Sequence, residues 1–265
     1  AVVRSFASGN GDHQNYLAVA GGNPARAPMG SVYARIMGAN DPRTGMPNNV
    51  MLPPEAVDPD LRLGQNFETD SLRKLVHAGN TLGVSYGYFD PSGGGELRRN
   101  LELRLPRQRF EDRRDLLRQL DTFRREMETT GVLARASAYE QQAFDIIVRG
   151  ISQAFDLSRE NQRVLDRYDT SRLFDLTEVN RWGDMRRSSN LLGKQLLLAR
   201  RLCEAGCGFV TVFDAGWDMH SNNNSPVNMG GMNWLGPQDD HAVSAFLDDV
   251  AARGLSEQIL LVISG

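Results

Sequence analysis

Between residues 191 and 263 the apolar period of this chain switches from helix to strand, and then makes the same switch again. Leu191, Leu198 and Leu202, flanked by Leu192, Ala199 and Cys203, share one helical stripe, and Gly206 is placed to end it. Residues 209–213 (FVTVF) follow as an unbroken β-prone run, the pattern of a strand buried on both faces. Val243, Phe246 and Val250 mark a second helix stopped near Gly254, and residues 259–263 (ILLVI) read as the next buried strand. Short connections between such elements predict an α/β fold: a mostly parallel, doubly wound sheet flanked by helices, with the two runs as neighbouring strands.

Upstream the pattern is more broken. Residues 2–4 read as a strand that runs into the polar loop Ser8-Gly9-Asn10-Gly11-Asp12-His13. A short helix is expected from Ser31 to Met37, and a strand over residues 49–52 that Pro53-Pro54 stops. Residues 79–95 read as surface loops, and residues 101–105 alternate with period two as a half-exposed strand. Helices dominate from Phe110. Leu116, Leu120, Phe123 and Met127 form one apolar stripe there, and the dense Asp, Glu and Arg opposite read as a solvated face. Further helices are expected over residues 138–149 and 160–168. The whole reads as one α/β domain over residues 1–265, with a helical insertion at about residues 107–190.

Charge narrows the possible partners. A net charge of -3 gives no general electrostatic reason to bind nucleic acid or an anionic membrane. The run at residues 258–263 is too short to span a membrane, which takes ~20 apolar residues. Lys74 and Lys194 are the only lysines; arginine supplies the remaining cations. Cys203 and Cys207 do not have the spacing of a redox or zinc knuckle, and read as buried free thiols. The chain opens on Ala1-Val2-Val3 without an initiator Met, so a preceding segment is expected.

Open α/β sheets bind ligands beyond the carboxyl ends of their strands. Two of the four histidines fall just past such ends: His13 after Asp12, and His220 two residues after Asp218. In extended backbone that spacing points both side chains of the second pair the same way, so a carboxylate oxygen and an imidazole nitrogen can meet one divalent cation. An Asp–His hydrogen bond inside an ordinary turn is the alternative. Asp12 and His13 lie in a loop whose composition is first that of a turn. Asp240-His241 reads as helix N-terminal chemistry, with acid near the positive end of the dipole. Residues 221–238 read as a long loop, either a lid or a mobile surface segment.

The run LLLARRLCEAGCGFVTVFDAGWDMHSN (196–222) resembles the family called domain of unknown function 1501, a branch of the alkaline-phosphatase-like superfamily. VVRSF (2–6), GSVYARIMG (30–38), LELRLP (101–106), FEDRRDLLRQLD (110–121) and residues 139–168 agree with it, so the resemblance spans essentially the whole chain. It implies a helix-sandwiched sheet, export to the periplasm or beyond, often by the twin-arginine route, and a hydrolase-like metal pocket for small-molecule or polysaccharide esters. The family's Gly-Trp-Asp-Thr-His element matches Gly216-Trp217-Asp218-Met219-His220, which implies Asp218 and His220 as ligands of zinc, manganese or calcium. Asp12 and His13 lie in the loop that resembles the nucleophile-bearing region of sulfatases and phosphatases. There the sequence departs: no cysteine is present, and Val19-Ala20-Gly21-Gly22 stands where relatives have Leu-Thr-Gly-His. Relatives also carry a strand upstream, and Gly-Glu-x-Gly-Arg and Gly-Arg-Asp-His elements downstream. The fold is therefore expected to be incomplete here, with a cation bound only once those elements add ligands.

Overall fold

A computed structural model describes residues 27–58, 82–83, 86–92, 151–173, 191–214, 217 and 232–264. Four α-helices and two strands lie among them: α1 (Met29–Met37), β1 (Val50–Leu52), α2 (Gln162–Arg167), α3 (Leu192–Glu204), β2 (Val210–Val212) and α4 (Met232–Ala252). Single 3-10 turns cover Pro54–Ala56, Ile151–Phe155 and Leu157–Arg159. No helix among the described residues is long and apolar enough to cross a membrane.

The α/β pattern holds at the level of its smallest unit. β1 and β2 pair in parallel, with Val50 opposite Val210, Met51 opposite Thr211 and Leu52 opposite Val212. Phe89 occupies the other edge of β1, donating to Asn49 O at 2.8 Å and accepting from Met51 N at 3.0 Å. All three residues of β1 are buried, as a strand with neighbours on both edges should be. β2 is only half-buried, which corrects the expectation of full burial on both faces.

α3 is the central element. Leu198, Ala199 and Leu202 pack with Val50, Leu52 and Phe155, while Leu192, Leu196 and Leu197 pack with Ala242, Ala245, Phe246 and Val250 of α4. A helix with apolar neighbours on two sides must be apolar most of the way round, and only Lys194 and Glu204 of α3 are exposed. Each buried leucine here contributes roughly 1.5–3 kcal/mol relative to exposure. Gly193 lets the first turn of α3 approach Tyr168 closely, because a Cβ there would collide with the Tyr168 carbonyl. The helix ends where the sequence says it should. Gly206 takes φ +102°, Cys207 N bonds back to Leu202 O at 2.9 Å, and both Leu202 and Cys207 enter the core.

Two expectations fail. Residues 259–263 form no strand; they have no ladder partner among the described residues, and Leu260 and Val262 are 86% and 67% exposed. Their period of two survives, since Ile259 and Leu261 lean on the cluster that Val212 also borders. Hydrophobic pattern fixes which side chains turn inward, but a strand also needs an edge with which to exchange hydrogen bonds. Second, α4 starts at Met232, so residues 232–238 are helical and include Pro237, instead of belonging to a loop. Asp240 and His241 thus lie in mid-helix and are no N-terminal cap. His241 Nε2 donates to Arg167 O at 2.8 Å and ties α4 to the end of α2. The elements read over residues 2–4, 101–105, 110–127 and 138–149 lie outside the described residues.

Candidate site at the carboxyl edge of the parallel strands

In a parallel pair both strands deliver their carboxyl ends to one edge, where the last carbonyls still have lone pairs to satisfy. Gln195, in the first turn of α3, supplies a donor. Its Nε2 donates to Leu52 O at 2.8 Å and to Phe213 O at 2.9 Å, so one buried amide spans the ends of both strands. Leu52 O also accepts from Phe213 N at 3.2 Å, using both of its lone pairs. The Gln195 Oε1 is buried and has no hydrogen-bond partner among the described residues.

Beyond Phe213 the chain continues into a strap. Asp214 Oδ2, two residues past the end of β2, accepts the indole N–H of Trp217 at 2.8 Å. Trp217 remains 38% exposed, so its ring borders solvent. After β1 the corresponding exit is Pro53-Pro54-Glu55, where the 3-10 turn Pro54–Ala56 turns the chain back at the same edge. Carboxylates therefore follow both strands, Glu55 after one and Asp214 after the other.

Asp12, His13, Asp218 and His220 all lie outside the described residues, so their mutual distances and any shared crevice are not part of the described geometry. Trp217 is bonded in sequence to Asp218, and the strap is the last described point before that residue. Among the described residues no group of three or more His, Cys, Asp or Glu side chains converges as a metal site.

Sequence reasoning passed over Gln195, Asp214 and Glu55. A signal for Gln195 was present: it sits at the i+4 position of the stripe Leu191, Leu198, Leu202, where a polar residue has to find a buried partner. It also passed over a second polar cluster, away from this edge. Arg200, on α3, lies 2.5 Å from Glu160 and 2.8 Å from each of Glu204 and Asp249. Tyr168 donates to Asp249 at 3.1 Å, and Arg201 and Arg253 complete a set of three guanidinium groups and three carboxylates. Burial pushes the Glu160 carboxyl upward. Hydrogen bonds from Arg200 and the Asn161 amide, with the Arg200 charge, outweigh that and hold it at about 2. Burial, with the charge of Asp249, drives the Tyr168 phenol up, so it stays a neutral donor. The balanced charges read as a structural clasp between α3, α4 and the residue 151–168 segment.

The two parallel strands thus end at one edge under a bridging amide, and this is the edge at which open α/β sheets in general bind ligands. The chain belongs to the family described as protein of unknown function (DUF1501), whose model matches residues 1–265. No curated protein and no solved structure matches it.

Proposed function

We propose that this chain is part of an exported bacterial protein of the alkaline-phosphatase-like superfamily, a metal-dependent hydrolase of phosphate or sulfate esters. The observation that carries the reading is the Asp214–Trp217 strap at the carboxyl edge of β2. It fixes the residue immediately before Asp218 at the place where open α/β sheets hold ligands. Asp218 and His220 would hold the cation. One carboxylate and one imidazole suit zinc or manganese well, and calcium less, since it takes oxygen ligands. Such a cation supplies Lewis-acid polarisation of the ester oxygen. Asp12 and His13 are the catalytic candidates, and the substrate would be a small-molecule or polysaccharide ester.

A second reading has its own observation. Val19-Ala20-Gly21-Gly22 replaces the Leu-Thr-Gly-His of relatives, which favours a non-catalytic exported binding or surface-assembly protein that keeps the fold. Elemental analysis of the unchelated full-length protein, paired with hydrolysis of p-nitrophenyl phosphate and sulfate, separates the two. The hydrolase reading expects stoichiometric metal and turnover, both lost in His220→Ala. Stoichiometric metal without turnover selects the binding protein. Metal retained by His220→Ala removes His220 from the site.

A further inference from the structure

We infer that Gln195 is a positioning residue for the carboxyl-edge site: its amide sets the direction in which the chain leaves β2, and so places the Asp214–Trp217 strap. Three observations converge on it. Gln195 is fully buried, although it occupies a core position of α3 where leucine would pack without a polar cost. Its Nε2 uses both hydrogens on carbonyls of two different strands, so it locks the strand ends to each other and to the helix. Phe213, whose carbonyl it holds, is followed directly by Asp214, whose carboxylate holds Trp217. Two sets of hydrogen bonds, joined by the Phe213–Asp214 peptide link, thus connect the first turn of α3 to the residue that precedes Asp218. Methionine in place of Gln195 would fill nearly the same volume while leaving Phe213 O without its donor, and the strap would lose its fixed base.

The effect on cation affinity rests on the proposed role of Asp218 and His220; the anchoring of Trp217 does not. The test therefore has two arms, both in the full chain with Trp182→Phe and Trp234→Phe, so that Trp217 is the sole indole. Gln195→Met is expected to make Trp217 more accessible to acrylamide quenching. It is also expected to weaken Mn²⁺ binding about tenfold, the lower end of effects seen for outer-shell partners of metal ligands. Leu202→Ala, at the far end of α3, serves as the control: it lowers stability but leaves both readouts as in the parent. Quenching unchanged by Gln195→Met overturns the inference, and so does an equal change in the control. If the parent binds no Mn²⁺, the metal reading fails and the quenching arm alone decides on Gln195. Should Gln195→Met not accumulate as folded protein, the side-chain amide protons of Gln195 in the parent decide. Slow exchange with solvent supports the lock, and exchange at the rate of a free amide overturns it.

Discussion

Arg200 and Asp249 lie 2.8 Å apart with their side chains 1% and 6% exposed, and they join the centre of α3 to the last turns of α4. The Arg200 Nε contact is ionic and lacks hydrogen-bond alignment, while Arg253 Nε donates to the other Asp249 oxygen at 2.9 Å. Removing one partner leaves the buried cluster one charge out of balance, with Arg200 still facing Glu160 and Glu204, or Asp249 still facing Arg253. Asp249→Leu and Arg200→Met should each cost roughly 3–5 kcal/mol, and the double variant less than their sum. Urea denaturation of the four proteins measures this. Strict additivity would show that the pair is not coupled.

Acid should loosen the same clasp. The folded Glu160 carboxyl titrates at about 2, below its ordinary value of 4.5. A depressed carboxyl contributes stability that is complete above its unfolded pKa and is lost as pH falls through its folded one. Stability should therefore fall between pH 4.5 and about 2, and Glu160→Gln should flatten that part of the profile. Thermal melts across pH 2–6 test the slope.

The two thiols should be unreactive while the chain is folded. Burial raises Cys203 to about 11, and burial with the neighbouring Cys203 raises Cys207 further. Thiolate is the reactive form, so alkylation at neutral pH should be slow and should accelerate in step with urea unfolding. Fast modification of either cysteine in native buffer would contradict this packing.

Gly206→Ala should destabilise by about 1 kcal/mol or slightly more, because φ +102° disfavours any Cβ and the new methyl would meet the Thr44 hydroxyl at 2.9 Å. Chemical denaturation gives the value. Gly254, at φ +69° with nothing within 4 Å of an added Cβ, serves as the comparison that isolates the backbone strain from the contact.

Leu260→Thr should change stability by less than about 0.5 kcal/mol, since the side chain is 86% exposed. A buried strand leucine would instead cost about 2–5 kcal/mol on truncation. A large loss in equilibrium unfolding would restore residues 259–263 to the sheet.

Local order was legible wherever side chains follow the period of their own backbone. The leucine stripe gave α3 and its end at Gly206, the prolines gave the end of β1, and the β-prone run gave β2. The candidate site was legible only as a location. Strand ends and a Gly-Trp-Asp element point to an edge, but Asp218, His220, Asp12 and His13 lie outside the described residues, and the residues that build the edge were missed. α4 was misjudged for a local reason: Gly236 and Pro237 in its first turns resemble a loop, and Pro237 lies inside the helix, where proline removes a backbone donor.

Apolar periodicity and breaker residues, both short-range properties, determined by themselves that this chain makes helices alternating with β-prone runs. Only the tertiary structure decided which runs become strands and which polar side chains are buried. Residues 259–263 and 209–213 have the same β-prone character, yet only the second lies along an edge that exchanges hydrogen bonds with it. Gln195 and Arg200 look alike in sequence as polar interruptions of a leucine helix. One became a lock on two strand ends, the other the centre of an ion cluster. Buried polar groups and strand edges take partners that arrive from forty or more residues away, and no local pattern specifies them.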